Sequence, residues 1–200
     1  MRVLPFLFLT MLGTGLVVGQ NFVNEGNVIE RKPVPAEVMA NAVKAVQALG
    51  NDTMAGKFDD VLAKLYPRFR KRAATRLGGE AALNELFVSK KQELARSGAT
   101  TVSFIAEPAL HGFEIPEFKE WLVFVPTTKQ VRVINPNTGE ALRIEVRSYQ
   151  VAIRKKDDGA SWSFLEGLHL DSRELRALFP SIPATAEELG LPKEKLRQLR

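Results

Sequence analysis

Apolar positions recur at helical spacing as far as Ser97 and at strand spacing after it. Val38, Ala42, Val46 and Leu49 form one stripe. They predict a helix opened by Pro33 and Pro35 and closed at Gly50, where a C-terminal cap belongs. Asn51 or Asp52 then starts a second helix, with Phe58, Val61, Leu62 and Leu65 on its apolar side. Tyr66-Pro67 breaks or bends it, because a residue before proline avoids the helical region. A further turn or two reaches Leu77, and Gly78-Gly79 interrupts again. Glu80–Ser97 is the clearest helix, burying Ala82, Leu83, Leu86, Phe87 and Leu94 and ending at Gly98.

The period then changes. Thr100–Glu107, Glu120–Pro126, Gln130–Ile134, Glu140–Arg154 and Ser161–Leu168 are rich in β-branched and aromatic residues, as strands are. Turn signals separate them at His111-Gly112, Pro126-Thr127-Thr128, Asn135–Gly139 and Asp157-Asp158-Gly159. Helices followed by strands are the order of an α+β fold. In the long strand Leu142, Ile144 and Val146 turn the even positions inward, whereas Tyr149, Val151 and Ile153 turn the odd ones inward. A period of two does not change phase without an extra residue. This predicts a β-bulge near Arg147–Tyr149 and a strongly curved antiparallel sheet, which would enclose a cavity on its concave face.

Residues 1–19 carry a single charge, Arg2, followed by an apolar run from Val3 to Val18 and small residues at the end. That is the layout of a secretory signal peptide, with cleavage expected between Gly19 and Gln20. The run is shorter than a spanning helix needs, so no stable membrane insertion is expected after cleavage. A polar linker, residues 20–32, leads to the domain at 33–180, and a proline-segmented basic tail at 181–200 closes the chain. The cysteine count of zero excludes disulfides, thiolate metal sites and a cysteine nucleophile. Export without cysteine points to a bacterial protein of the periplasm or the medium. Of the formal +5 charge, Arg2 contributes one, and Lys193, Lys195, Arg197 and Arg200 against Glu194 contribute three, leaving residues 20–191 at +1. That domain lacks the basic footprint of a nucleic-acid binder. One local cluster, Arg68, Arg70, Lys71, Arg72 and Arg76, reads as a solvated helix face or a contact for anionic lipid or another envelope polyanion.

Leu65-Tyr66-Pro67, Leu77-Gly78-Gly79, Val125-Pro126-Thr127-Thr128, Trp162-Ser163-Phe164 with Glu166-Gly167, and Leu178-Phe179-Pro180 occur in that order. In order and spacing they resemble the cone-shaped α+β superfamily of nuclear transport factor 2 and ketosteroid isomerase, more narrowly a bacterial exported subgroup. The resemblance implies three N-terminal helices packed on a bent sheet, and a function of binding, dimerisation through the sheet, or acid/base catalysis in the cone.

Candidate chemistry is sparse. His111 and His169 both read as turn residues, and neither has metal-ligand spacing. No metal or cofactor motif occurs. Glu107 ends the first strand. Glu166 shares a face with Trp162 and Phe164 by alternation, either as a desolvated carboxylate in the cone or as a rim carboxylate paired with Arg143 or Arg147. Tyr66, Trp121, Tyr149, Trp162, Phe164 and Glu166 are therefore the expected ligand-binding set. The expected function is an exported, non-enzymatic module for an apolar small molecule or a protein partner. The alternative is a small lyase, isomerase or dehydratase using Glu166 with Tyr149. A His–carboxylate or Tyr–carboxylate pair within hydrogen-bond reach would favour that alternative.

Overall fold

A computed structural model describes residues 33–135, 138–157, 161–167, 170–183, 189, 191 and 195–199. The expected leader at 1–19, the linker at 20–32 and His169 lie outside the described residues. The fold is α+β, with helices preceding an open six-stranded antiparallel sheet. Four helices come first: α1 (Ala36–Met54), α2 (Phe58–Ala63), α3 (Pro67–Leu77) and α4 (Glu80–Ser97). The strands are β1 (Thr100–Ala106), β2 (His111–Ile115), β3 (Glu120–Ile134), β4 (Ala141–Lys155), β5 (Ser163–Glu166) and β6 (Lys195–Leu199), with α5 (Ser172–Leu178) before the last.

Two helix boundaries differ from expectation, each for a steric reason. Gly50 is an interior residue of α1 rather than its cap. Its missing side chain leaves room for the Phe104 ring, which a Cβ there would strike. A glycine needed for close approach carries the same local signature as a glycine needed for a cap. Tyr66-Pro67 breaks the helical run as expected, but Pro67 then opens an 11-residue helix, α3, rather than a turn or two; Tyr66 is extended before it, and Gly78 ends it in the left-handed region at φ 93°.

The sheet is organised by one long hairpin. β3 and β4, 15 residues each, pair without a register shift from Glu120↔Lys155 to Ile134↔Ala141, over a length of about 50 Å. The bulge expected near Arg147–Tyr149 is therefore absent. Residues 148–153 are all buried, so the apparent phase change marks the point where both faces of the strand become covered and alternation stops. The irregularity lies instead in β1, between Thr101 and Ser103.

Pro126-Thr127-Thr128, expected as a turn, runs through the middle of β3. The outer edge of β3 is shared by β2, opposite residues 120–124, and β1, opposite residues 127–132. Pro126 sits where one neighbour hands over to the other, and its carbonyl accepts from the Glu107 N–H at 2.9 Å. No ladder donor is required of it there. The outer edge of β4 is divided the same way, between β5 opposite residues 150–153 and β6 opposite residues 143–147.

The hairpin thus has an inner half (β2–β3–β4–β5) and an outer half (β1–β3–β4–β6). One face of the inner half carries Val123, Val125, Ala152 and Phe164 under Val38, Ala42, Val46 and Leu49 of α1. The other carries Ile115, Leu122, Phe124, Tyr149, Val151, Ile153 and Leu165 under Leu175 and Leu178 of α5, with Phe179, Ile182 and Leu189. Core residues therefore continue past residue 180. Within the basic tail, Lys195–Leu199 is exposed for most of its length and runs as β6 along β4, where Lys195, Leu196 and Arg197 alternate cation and apolar side chain in strand fashion. Ala73, Ala74 and Leu83 form a separate small core between α3 and α4.

Candidate functional site

The sheet separates the six residues expected to share a cavity. Tyr66 and Tyr149 lie in the core under α5, whereas Phe164, Trp121 and Trp162 lie in the core under α1. Glu166 pairs with Gln150 in register two positions from Phe164 and shares its face, as alternation indicated. Tyr149, one position before Gln150, projects from the opposite face. Glu166 and Tyr149 are accordingly not brought together.

Glu166 accepts from Lys129 Nζ at 2.6 Å, with both side chains about a quarter exposed. The lysine arm reaches across β4 on the α1 face; Arg143 and Arg147, the partners expected from the sequence, occupy the other face. Tyr149 donates its hydroxyl to the Leu170 carbonyl at 2.8 Å, and its ring fills the space that a Gly167 side chain would need. The two tryptophans sit at the margin of their core beneath cations: Lys156 Nζ is 4.3 Å from the Trp121 ring centre, and the Arg154 guanidinium 5.4 Å from that of Trp162. Lys156 also pairs with Glu114.

Tyr66 has a partner not anticipated. Its hydroxyl donates to Glu120 Oε2 at 2.8 Å, and its ring stacks on Phe179 at 5.3 Å. Tyr66 is 2% exposed and Glu120 6%. Burial, and then the Glu120 carboxylate, push the Tyr66 phenol well above the ordinary tyrosine range; burial does the same to Tyr149, with Asp171 and Glu174 adding to it. Both phenols stay neutral at physiological pH, the opposite of what a tyrosinate base requires.

His111, expected in a turn, lies in β2, with its ring 6.3 Å from that of Phe113 and 6.4 Å from that of Phe124. Its Nε2 is buried and has no hydrogen-bond partner among the described residues. Glu107 accepts from the Thr128 hydroxyl at 2.8 Å on the surface. Among the described residues no group of three His, Asp or Glu could hold a metal. Nor is any described helix long and apolar enough to cross a membrane.

The basic run of α3 is divided among structural duties. The Arg68 guanidinium is 3.3 Å from the Phe118 ring centre, and Arg70 reaches Glu80 and Asn84. Arg72 is half-buried, and that burial, with Arg76 beside it, lowers its pKa. The solvated-face reading suits this arrangement better than a free polyanion contact.

A second basic region was hidden in the sequence. On the side of the outer half that points away from α1, register sets Arg132 opposite Arg143, Arg147 opposite Lys195, and Glu145 opposite Arg197. All five cations are exposed. Glu145, 15% exposed at its side chain, is held by Arg147 Nε at 3.0 Å. Ile105 and Ile134, 54% and 37% exposed, project from the same face by register. A depression of about 380 Å³ borders it, lined by Glu107, Thr128, Arg147 and Lys195 among others. A second, of about 440 Å³, lies at Phe118, Lys119, Lys155 and Asp157. Neither is lined by any of the six expected ligand residues.

No family model matches the chain, and no curated protein or solved structure matches it. The strand period alone places Arg143, Glu145 and Arg147 on one face, and Lys195 and Arg197 on one face. Only the pairing register shows that these faces coincide.

Proposed function

We propose that this protein is an exported, non-enzymatic binding module of the nuclear transport factor 2 type, working through the exposed half of its sheet. One observation carries the reading: the outer half presents five exposed cations and two exposed isoleucines on a face that no described element covers. The inner half, by contrast, is filled on both sides. A partner surface suits this geometry better than an enclosed apolar small molecule, whose expected lining residues are split between two packed cores. A second copy of the chain docked face to face would oppose cation with cation, so the partner is a different, negatively charged surface.

The acid/base alternative has one observation on its side, the Tyr66–Glu120 hydrogen bond. Tyr66 is packed in a core with Phe179 stacked on its ring, Glu120 is buried beside it, and neither described depression is lined by them.

The reading is tested by a photo-reactive residue placed at Gln130, in the middle of the outer half, or at Val88, on the outside of α4. Cells exporting each variant are irradiated. A cross-linked adduct at position 130 and none at 88 is the expected result. No adduct at 130, or adducts at both, removes the reading. Catalysis by the purified protein that Glu166→Gln lowers a hundredfold or more would replace it with the enzyme reading.

A further inference from the structure

The exposed basic face has an arrangement that scattered surface charge does not produce. Four strands contribute to it in three rows: Thr100–Arg132–Arg143–Leu199, Ser103–Gln130–Glu145–Arg197, and Ile105–Thr128–Arg147–Lys195. With strands about 4.8 Å apart and rows about 7 Å apart, the grid covers about 14 Å in each direction. Arg132 faces Arg143 directly across the ladder, and Arg147 faces Lys195. Like charges in directly opposed positions destabilise a sheet. The isolated protein therefore carries a local repulsion that an anionic contact would relieve. Among the described residues only Arg147 has a carboxylate partner in this grid.

The occupant is constrained by what accompanies the cations. None of the grid positions is aromatic, so the face lacks the stacking platform that single-stranded nucleic acid uses. The face is a sheet surface and not a groove, which does not suit insertion of a helix or peptide. Ile105 at one corner of the grid and Ile134 one row beyond Arg132 stand exposed beside the charges. Cations that meet anionic headgroups, mixed with aliphatic side chains that enter the headgroup boundary, are the combination a bilayer surface selects. Gln130 and Ser103, on the same face, supply neutral hydrogen-bond donors for phosphate oxygens.

We infer that the outer half of the sheet is a peripheral docking face for an anionic phospholipid bilayer. This rests on the reading of the outer half as the contact surface and names what it contacts.

The test uses the chain as purified from an exporting host, co-sedimented with vesicles. One set is phosphatidylcholine alone, and in the other about a third is phosphatidylglycerol. Binding about tenfold stronger to the anionic set, and lost when salt is raised to about 0.5 M, is expected. Residues 1–19, where retained, add affinity for both sets alike, so the ratio isolates the basic face. Arg143→Glu with Arg197→Glu should abolish the preference; Arg143→Gln with Arg197→Gln, the milder pair, should weaken it while leaving the thermal melt intact. Lys71→Glu with Arg76→Glu on α3, an equal charge change elsewhere, should leave it in place. Equal binding to both vesicle sets, or loss with the α3 pair alone, overturns the inference. So does binding of soluble polyglutamate with no vesicle binding, which assigns the face to an acidic protein. A cross-link at Gln130 in cells with no vesicle preference would remove the bilayer and keep the contact surface.

Discussion

Along the same two strands, the β3–β4 hairpin passes through two environments. From Glu120 to Val125 and from Gln150 to Ile153 it is buried on both faces, sandwiched between α1 and the α5 segment. Beyond Thr128 and before Ser148 one face is basic, and no described element covers it. The hydrogen-bonded ladder is continuous through both, so backbone pairing does not distinguish them. Stability follows the covered area, and the proposed contact lies on the uncovered one.

The largest expected effect tests the covered half. Phe124→Ala, at 0% exposure between His111, Phe113 and Tyr149, should cost about 3–5 kcal/mol in urea unfolding. Arg143→Ala, in the uncovered half, should cost within about 0.5 kcal/mol. Comparable costs at the two sites would dissolve the distinction.

Overpacking is expected to hurt somewhat less. Gly167→Ala would drive a methyl group into the Tyr149 ring, and Gly50→Ala into the Phe104 ring. Each should lower stability by about 1–3 kcal/mol, measured the same way.

Tyr66→Phe removes the donor to a buried carboxylate and should cost about 1–3 kcal/mol at neutral pH. The two raised phenols also set a pH dependence. Their folded pKa values exceed the unfolded value of about 10. The stability they contribute is therefore complete below pH about 10 and is lost as pH rises toward the folded values. A pH series of melts should show that alkaline decline, shallower in Tyr66→Phe with Tyr149→Phe. An unchanged slope would mean that neither phenol is held neutral by folding.

Truncation after Leu191 sharpens the comparison from the other side. Loss of β6 should speed hydrogen exchange at Arg143–Arg147, which it flanks, and leave Gln150–Ile153 protected. The melting temperature should fall by only about 2–4 °C. The smallest change is Glu166→Gln, which weakens a partly exposed ion pair to Lys129 and should cost at most about 1 kcal/mol.

Much of this division was legible in the residues, but not its location. The stripe Val38, Ala42, Val46, Leu49 reports one covering helix, and the apolar run Val151–Ile153 reports burial on both sides. That same run imitates a phase shift, because a strand covered on both faces has no polar side to show its period. Pro126 imitates a turn because proline's preference does not say which neighbour its missing N–H would have faced. His111-Gly112 reads as a turn for a similar reason. Gly112 is in fact a strand residue packed at 2.8 Å from Val34 and 2.9 Å from Met39, measured from where its Cβ would be. Alternation correctly grouped Glu166 with Phe164. It could not show that Tyr149 points the other way, since relative facing across strands is a property of register. The basic grid was invisible for that reason, being assembled from β3, β4 and β6.

The handover at Pro126 has a consequence for how the protein avoids itself. A sheet border of 15 residues would be a long row of free amides and carbonyls, a template on which a second chain could polymerise. Here one border is cut into β1 and β2 at a residue that cannot donate. On the other, the backbone of Tyr66 and Lys64 bonds to Phe164 in β5, leaving the short β6 to end the row. Two interruptions shorten both templates, so the molecule can keep a face open to others while offering little border to its own kind.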